Sequence, residues 1–429
     1  MSLQLSPEER AMLAGEQGPG TALAMRLVVR TAEAMQADRL LRITRAHVDS
    51  CLYHGQATLD FVDRLVDGGA RAAVPTTLNV GALDLLHPEL WHGSTEDAAR
   101  GRRLMEQYRA LGCRPTFTCA PYQVRDARPS FGEQVAWAES NAIVFANSVL
   151  GARTERYGDF SDIACAITAR APDAGLHRDA ARRATLRLGM ADDLPPALFD
   201  DESLYPTLGL VLGRRAGTRV AVIDGLPPRL SEDRLKAMGA AAASSGAVAL
   251  FHAVGSTPEA PTLDAALQGR PPEASAIVSL AELRDARQGL TSLPGGAPDG
   301  TPIAAVSLGT PHASLAELSR IVDLLAGARA APGVELLVST SRDLLAEAEE
   351  TGMAGRLRAA GAELLVDTCS YIAPILAPGR SPVMTDSAKW AFYAPGNIGV
   401  EVIFGSMAEC IRSAVDGRVR REAGAWGAA

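Results

Sequence analysis

The chain has 429 residues, enough for two or three domains with substantial apolar cores. Its formal net charge of −8 at pH 7 argues against a nucleic-acid backbone or an anionic membrane surface as a partner. No apolar run is long enough to span a bilayer, and the N-terminal segment lacks the apolar core of a secretory signal. We therefore expect a cytoplasmic protein with reduced thiols, in which cysteines serve metal binding or catalysis more often than disulfides.

Helical and strand periodicities alternate along almost the whole chain. Ser6, Pro7 and the acidic pair that follows predict that a helix begins there. A second helix is predicted between Phe131 and Gly151 from apolar residues at helical spacing. Strands are predicted at Leu41–Val48, Pro115–Thr118, Gly217–Asp224, Ala247–His252, Pro302–Leu308, Glu335–Val338, Glu363–Thr368 and Gly399–Phe404. This alternation indicates an α/β protein with parallel, doubly wound sheets.

Two segments rich in proline and glycine, 191–196 and 293–300, are predicted to be linkers or surface loops. We treat residues 1–429 as one catalytic region with approximate subdivisions at 1–215, 216–330 and 331–429.

Three of the six cysteines follow the end of a predicted strand with at most two residues between: Cys51, Cys119 and Cys369. The carboxyl ends of strands face the ligand crevice in open α/β folds, so distant thiols can converge there. The other three lie at a helix end or in helix-like stretches typical of packing residues: Cys113, Cys165 and Cys410. Three strand-end thiols suggest a metal or iron–sulfur site with one iron open to substrate. Simple packing is the alternative, since no C-x-x-C or H-E-x-x-H spacing is present.

Several polar groups could bind an anionic substrate. Arg153 and Arg156 could clamp a carboxylate with paired hydrogen bonds, although surface salt bridges are the alternative for both. Lys389 lies in an aromatic segment, where burial without an anionic partner would be costly; a surface lysine is the alternative. His312 lies in a loop punctuated by glycine and proline and is a further candidate for substrate binding; a hydrogen-bonded loop histidine is the alternative.

Six segments together resemble the catalytic subunit of the aconitase X family. They are His47–Gly55, Pro75–Asn79, Thr118–Tyr122, Trp137–Thr154, Leu308–His312 and Asp386–Lys389. The resemblance implies an aconitase-like fold, with three α/β/α domains around an iron–sulfur site and a central cleft that a fourth, swivelling domain closes. We expect this chain to lack the fourth domain, so the resemblance also implies a small partner subunit that supplies it.

The resemblance implies that Cys119 and Cys369 are cluster ligands and that Cys51 is the third. Thr310 stands where archaeal relatives that dehydrate 5-phosphomevalonate on a [4Fe-4S] cluster carry cysteine. This difference favours a [2Fe-2S] cluster or a single iron over [4Fe-4S]. Positions aligned with family substrate contacts are Asp49, Ser50, Asn79, Glu139, Ser140 and Lys389.

The activity that the resemblance implies is that of a hydro-lyase acting on a small hydroxy amino acid, cis-3-hydroxy-L-proline, to give Δ1-pyrroline-2-carboxylate. Lys389 or Arg153 would bind the carboxylate and stabilise the charge that develops there. The resemblance to aconitase implies a general base on the partner subunit, and Ser140 and Glu139 are the alternatives in this chain. Alternatives are a phosphomevalonate-type dehydratase, an iron-dependent RNA-binding regulator, which the acidic charge disfavours, and a nicotinamide-dependent oxidoreductase, which leaves the strand-end cysteines unexplained.

Overall fold

The computed structural model describes residues 3–422 and 424–426, which divide into two compact units. The first unit contains the residues up to Leu83 together with Ser94–Arg183. The second contains Asp84–Gly93 and the residues from Ala184 onward. The outermost residues of the subdivisions 1–215 and 331–429 lie outside the described residues, and the three subdivisions stay predictions.

The first unit is built on a parallel sheet with the strand order β3–β2–β4. Its elements are α1 (Pro7–Ala14), α2 (Pro19–Ala34), β1 (Leu40–Arg42), β2 (Ala46–Val48), α3 (Gln56–Asp67), β3 (Thr76–Leu78), α4 (Thr95–Ala110), β4 (Ala136–Trp137), α5 (Ser140–Phe145), α6 (Ser161–Thr168) and β5 (Arg170–Pro172). β1 and β5 form a separate antiparallel pair. The three parallel strands therefore have their carboxyl ends on one edge of the sheet.

The predicted helix start at Ser6 is confirmed. The Ser6 hydroxyl accepts a hydrogen bond from the Glu9 amide at 3.3 Å, and the Glu9 carboxylate accepts one from the Ser6 amide at 2.8 Å. The other carboxylate oxygen of Glu9 pairs with the Arg170 guanidinium at 2.8 Å, and both side chains are buried. The capping residue Glu9 thus also connects α1 to β5 through this ion pair.

The predicted helix between Phe131 and Gly151 is wrong in its first part. Ala136 and Trp137 form β4 because they complete the free edge of β2, and the helix begins only at Ser140. It continues into a π-helical turn, Ala146–Leu150.

Two of the predicted strands in the first unit also differ from the structure. Residues 115–118 form no strand, since the Thr116 hydroxyl bonds both backbone groups of Leu78, at 3.0 Å to its amide and 2.9 Å to its carbonyl. The run Leu41–Val48 is divided between β1 and β2, because the two halves pair with different strands.

The second unit contains two parallel sheets, with strand orders β8–β7–β6–β9 and β12–β11–β10–β13–β14. Its elements are β6 (Leu186–Met190), α7 (Leu204–Ala216), β7 (Ala221–Asp224), α8 (Glu232–Ser245), β8 (Phe251–Ala253), α9 (Leu263–Leu267), β9 (Ala274–Val278), α10 (Leu280–Gln288), β10 (Ala305–Ala313), α11 (Leu315–Leu325), β11 (Glu335–Thr340), α12 (Arg342–Glu350), α13 (Met353–Ala359), β12 (Ala362–Leu365), β13 (Val383–Thr385), α14 (Ala388–Asn397), β14 (Val402–Phe404) and α15 (Met407–Asp416). Each strand predicted in this part of the chain contains or overlaps an observed one, whereas β6, β9 and β13 were not predicted.

The core of the second unit lies between the five-stranded sheet and its helices. Val306 of β10 and Val338 of β11 pack there with Ile321 of α11. In the middle of β10, where its register with β11 shifts after Leu308, the chain passes close to β11: a Cβ on Gly309, whose φ is +82°, would lie 2.1 Å from the Ser339 carbonyl oxygen. Glycine is therefore required where the chain turns toward His312. Among the described residues, every helix is too short or too polar to cross a bilayer.

Candidate active site

In the first unit, predicted polar residues follow all three parallel strands. Asp49 follows β2, Asn79 follows β3, and Glu139 lies two residues after β4. The Asn79 side-chain amide donates a hydrogen bond to the Asp49 carboxylate. The pairing of parallel strands thus brings together side chains that are 30 residues apart in sequence.

Glu139 and Ser140 lie at the beginning of α5. The Glu139 carboxylate accepts hydrogen bonds from the Ala142 amide at 2.8 Å and from the Ser140 hydroxyl at 3.2 Å. Glu139 has a φ of 72°, a backbone conformation that is strained for a residue other than glycine and that often marks a functional position. This backbone conformation turns the chain from the end of β4 into α5.

Burial controls the charges at this strand-end site. Desolvation, followed by the negative charge of Glu139, raises the pKa of Asp49 to about 8. Desolvation lowers the pKa of His47 to about 3, so its imidazole is neutral at pH 7. The negative charge of Glu139 thus favours a proton on Asp49 or a cationic group beside it.

Asp162, in the first turn of α6, is a residue that the sequence reasoning missed. It is fully buried, and its carboxylate accepts hydrogen bonds from the Asp49 amide at 2.7 Å, the Ser50 amide at 3.1 Å and the Ser50 hydroxyl. Desolvation raises its pKa to about 6. One signal in the sequence could have identified Asp162: it is a charged residue directly before the apolar run Ile163–Ile167.

The cysteines of the first unit are all buried. The Cys51 thiol donates to the Asn79 carbonyl at 3.1 Å, and burial raises its pKa well above the usual range. Cys119 lies in a loop, and its own backbone carbonyl accepts a hydrogen bond from the Asn141 side-chain amide at 3.1 Å. Cys113 and Cys165 pack beside α4 and within α6, as predicted. Forming a thiolate at such buried positions requires a cation, such as a metal ion, to offset the cost of burial.

Arg153 lies away from the carboxyl ends of the strands. Arg153 forms a β-bridge with Gln134, which lies two residues before β4. Glu139 lies two residues after β4, at the opposite end of the strand. The Arg153 guanidinium forms an ion pair with Asp179 at 2.5 Å. The structure therefore separates Arg153 from the Asp49–Asn79 pair, and its predicted role in substrate binding stays a prediction without support from its position.

In the second unit, His312 and Cys369 lie together. Both are buried, and a ring nitrogen of His312 and the Cys369 sulfur lie within 4.8 Å of each other. The His312 Nε2 atom is 3.3 Å from the Thr368 carbonyl oxygen. Imidazole and thiol at this separation suit a shared metal centre, so His312 is a possible ligand that the sequence reasoning placed in the substrate site instead.

A polar network holds the loop that carries Cys369. The Asp367 carboxylate pairs with the Arg342 guanidinium and accepts a hydrogen bond from the Leu85 amide at 3.0 Å. On the other side of Cys369, the Trp390 indole donates to the Ser370 hydroxyl at 3.0 Å. The thiol therefore projects from a fixed backbone rather than from a free loop.

Lys389 is the second residue of α14, the helix that Ser387 caps, and is only 4% exposed. A buried ammonium group is costly, and the positive end of the helix dipole increases that cost. A buried ammonium group at a helix start therefore needs a polar or anionic partner. The predicted surface alternative for this residue is wrong.

The only other lysine in the sequence, Lys236, is 2% exposed, and its charge is neutralised by side chains of the protein itself. Its ammonium forms ion pairs with Asp233 at 3.0 Å and with Glu317. We expect Lys236→Met to lower the free energy of unfolding by about 3 kcal/mol, because two carboxylates lose their counterion. Urea unfolding of the full chain measures this loss.

An exposed ion pair is the matched control for Lys236. Arg320 and Glu202 are 3.0 Å apart with side chains about half exposed, so Arg320→Met should cost less than about 1 kcal/mol. Equal losses for the two variants would contradict the structural role of Lys236.

Several known enzymes are similar to this chain over most of its length. A cis-3-hydroxy-L-proline dehydratase from Pseudomonas aeruginosa is 44% identical to the chain, covering 99% of this chain and 72% of that protein. One from Hypocrea jecorina is 40% identical, covering 97% and 69%. A phosphomevalonate dehydratase large subunit from Methanothermobacter thermautotrophicus is 36% identical, covering 95% and 98%. The chain is thus an enzyme of the hydro-lyase class.

Family models for the aconitase X first, second and third domains match residues 2–180, 185–288 and 303–416. The crystal structure of holo-form aconitase X from Thermococcus kodakaraensis aligns with a TM-score of 0.84 at 31% identity, covering 96% of this chain and all of that one. The chain belongs to the aconitase X family. The resemblance and the fold class predicted from the sequence are confirmed.

Proposed function

We propose that this chain is the large subunit of a dehydratase that converts cis-3-hydroxy-L-proline into Δ1-pyrroline-2-carboxylate. Two relatives with this activity in their names match the chain at 44% and 40% identity, above the archaeal phosphomevalonate enzymes. The observation that carries the choice of substrate is the acidic pair of Asp49 and Glu139. It suits the ring ammonium group of an imino acid, whose positive charge would favour the ionised form of Asp49, and it does not suit a phosphate.

In this proposal, Asp49, Asn79 and Glu139 bind the ring nitrogen and the hydroxyl of the substrate. Lys389 binds the carboxylate. Dehydration removes the C2 proton and the C3 hydroxyl as water and forms a C2=C3 double bond; the enamine then tautomerises to the Δ1 imine. Negative charge accumulates on the carboxylate as the proton leaves C2, and the Lys389 ammonium stabilises it.

We propose an iron–sulfur centre, with [2Fe-2S] as the favoured type, held by Cys51, Cys119 and Cys369 and with His312 as a further candidate ligand. A bound iron with an open coordination position supplies Lewis acidity that polarises the departing hydroxyl.

Three buried hydroxyls in the second unit fit such a group. The Oγ atoms of Thr310, Ser339 and Thr368 make no hydrogen bond within the described part of the chain. Thr310 and Ser339 lie in the carboxyl-terminal halves of β10 and β11, and Thr368 lies three residues beyond β12, close in sequence to His312 and Cys369. Buried hydroxyls need acceptors, and the sulfur atoms of a cluster accept hydrogen bonds.

We further propose that a small swivelling subunit completes the enzyme and carries the general base. The archaeal relatives are named large subunits, which supports a second chain. Within this chain, Ser140 with its acceptor Glu139 is the alternative base. Closure by a partner would exclude water and strengthen the electrostatic contacts of the substrate.

Anaerobic purification with and without a co-expressed small subunit tests this function. Iron and sulfide are quantified, and turnover is measured on cis-3-hydroxy-L-proline, its trans-3 diastereomer and 5-phosphomevalonate. We expect turnover of the cis-3 compound by the complex and almost none by the isolated chain. Faster turnover of 5-phosphomevalonate would refute the choice of substrate, and full activity of the isolated chain would place the base within it.

A further inference from the structure

We infer that Asp162 is a positioning residue for the substrate-binding site, and that Ser50 acts through Asp162 instead of contacting substrate. The inference rests on the proposed function for its catalytic part and on the hydrogen bonds of the first unit for its structural part. It revises the role that the family resemblance implies for Ser50.

The first step concerns the Asp49–Ser50 turn at the end of β2. One oxygen of the Asp162 carboxylate accepts hydrogen bonds from both amides of the turn, at 2.7 Å for Asp49 and 3.1 Å for Ser50. The other oxygen accepts from the Ser50 hydroxyl and from the Ile163 amide at 2.6 Å. Because every partner is a donor, an ionised carboxylate satisfies all four, and an amide side chain cannot.

The second step concerns the Ser50 hydroxyl. It has one proton, which it donates to Asp162, and its oxygen accepts a hydrogen bond from the Phe160 amide at 3.3 Å. Ser50 is 1% exposed. The single hydroxyl proton of Ser50 is therefore already bonded inside the protein, to a carboxylate of α6.

The third step concerns Asp49, the partly exposed member of the turn. Its side chain accepts the hydrogen bond from Asn79, while its amide is bound to Asp162. The Asp162 carboxylate fixes the backbone from which the Asp49 carboxylate projects. A displacement of the turn would move that carboxylate, and small displacements of substrate-binding groups are costly in catalysis.

The test compares Asp162→Asn, Ser50→Ala and the double variant in the full chain, loaded with iron and complexed with its small subunit. Asp159→Asn is the matched control, since Asp159 is exposed three residues earlier. We expect Asp162→Asn to lower kcat/KM by more than about 50-fold with a raised KM and unchanged iron content. A merely structural role would lower the active fraction and leave KM unchanged. Ser50→Ala should cost less than about 10-fold, and the double variant no more than Asp162→Asn alone.

Hydrogen exchange of the Asp49 and Ser50 amides gives a readout that does not depend on the substrate. We expect their exchange to rise by at least about 10-fold in Asp162→Asn and to be unchanged in Asp159→Asn. Unchanged exchange in Asp162→Asn, or additive losses in the double variant, would overturn the inference. If Asp162→Asn does not fold, Ser50→Ala decides the question. A loss of about 100-fold in kcat/KM with unchanged amide exchange overturns the inference, and a small loss in kcat/KM supports it. If the wild-type complex does not turn over the hydroxyproline, the proposed function fails, and the exchange data alone decide the structural part.

Discussion

Replacing Cys369 by alanine is expected to reduce the iron content of the purified complex to background and to abolish dehydration. The thiol is buried, lies within 4.8 Å of a ring nitrogen of His312, and projects from a loop that Asp367 and Ser370 hold in place. Losing one of a few thiolate ligands removes both the charge and the geometry that hold iron. Iron and sulfide quantitation, together with the visible absorption spectrum of anaerobically purified protein, measures the effect.

Cys410→Ala is the matched control, since Cys410 is equally buried in the same unit but lies within α15. It should retain its iron and lose only a little stability, as should Cys165→Ala in the first unit. Cys119→Ala and Cys51→Ala should lose iron as Cys369→Ala does. Full iron content in any of these three variants would remove that cysteine from the ligand set.

Lys389→Ala is expected to lower kcat/KM by about 10²-fold or more, which corresponds to about 3 kcal/mol of lost charge-assisted stabilisation in the transition state. The reason is that, in the proposed function, the ammonium group receives the substrate carboxylate as the C2 proton leaves. Steady-state kinetics of the iron-loaded complex on cis-3-hydroxy-L-proline measures the loss.

Lys389→Met separates charge from packing, because it keeps most of the side-chain volume at this 4% exposed position. We expect it to lose as much activity as Lys389→Ala and to unfold at a similar or higher urea concentration than the wild type. An active Lys389→Met enzyme would show that the side chain only fills space. The comparison with Lys236→Met, whose effect should fall on stability, distinguishes the roles of the two lysines.

The sequence by itself determined the features that depend on a few neighbouring residues. Ser6 and Glu9 encode the first helix cap, and the apolar runs around Val306 and Val338 encode buried parallel strands. Cys165 and Cys410 follow helical spacing and were correctly assigned to helices. The family resemblance indicated Asp49, Asn79 and Glu139 as polar groups of the site, although β3 and β4 were not predicted as strands. Parallel pairing then aligns the strand ends that carry them.

Only the tertiary structure decided features that depend on distant partners. Ala136 and Trp137 look helical locally but form a strand because β2 offers an unpaired edge, and that hydrogen-bonding gain outweighs a weak local preference. Asp162 acquires its role from the Asp49–Ser50 turn more than 110 residues earlier. The burial of Lys389 at a helix start and the approach of His312 to Cys369 likewise depend on how the strands align. Local patterns carry no information on such pairings, because the contacts exist only after the intervening chain has folded.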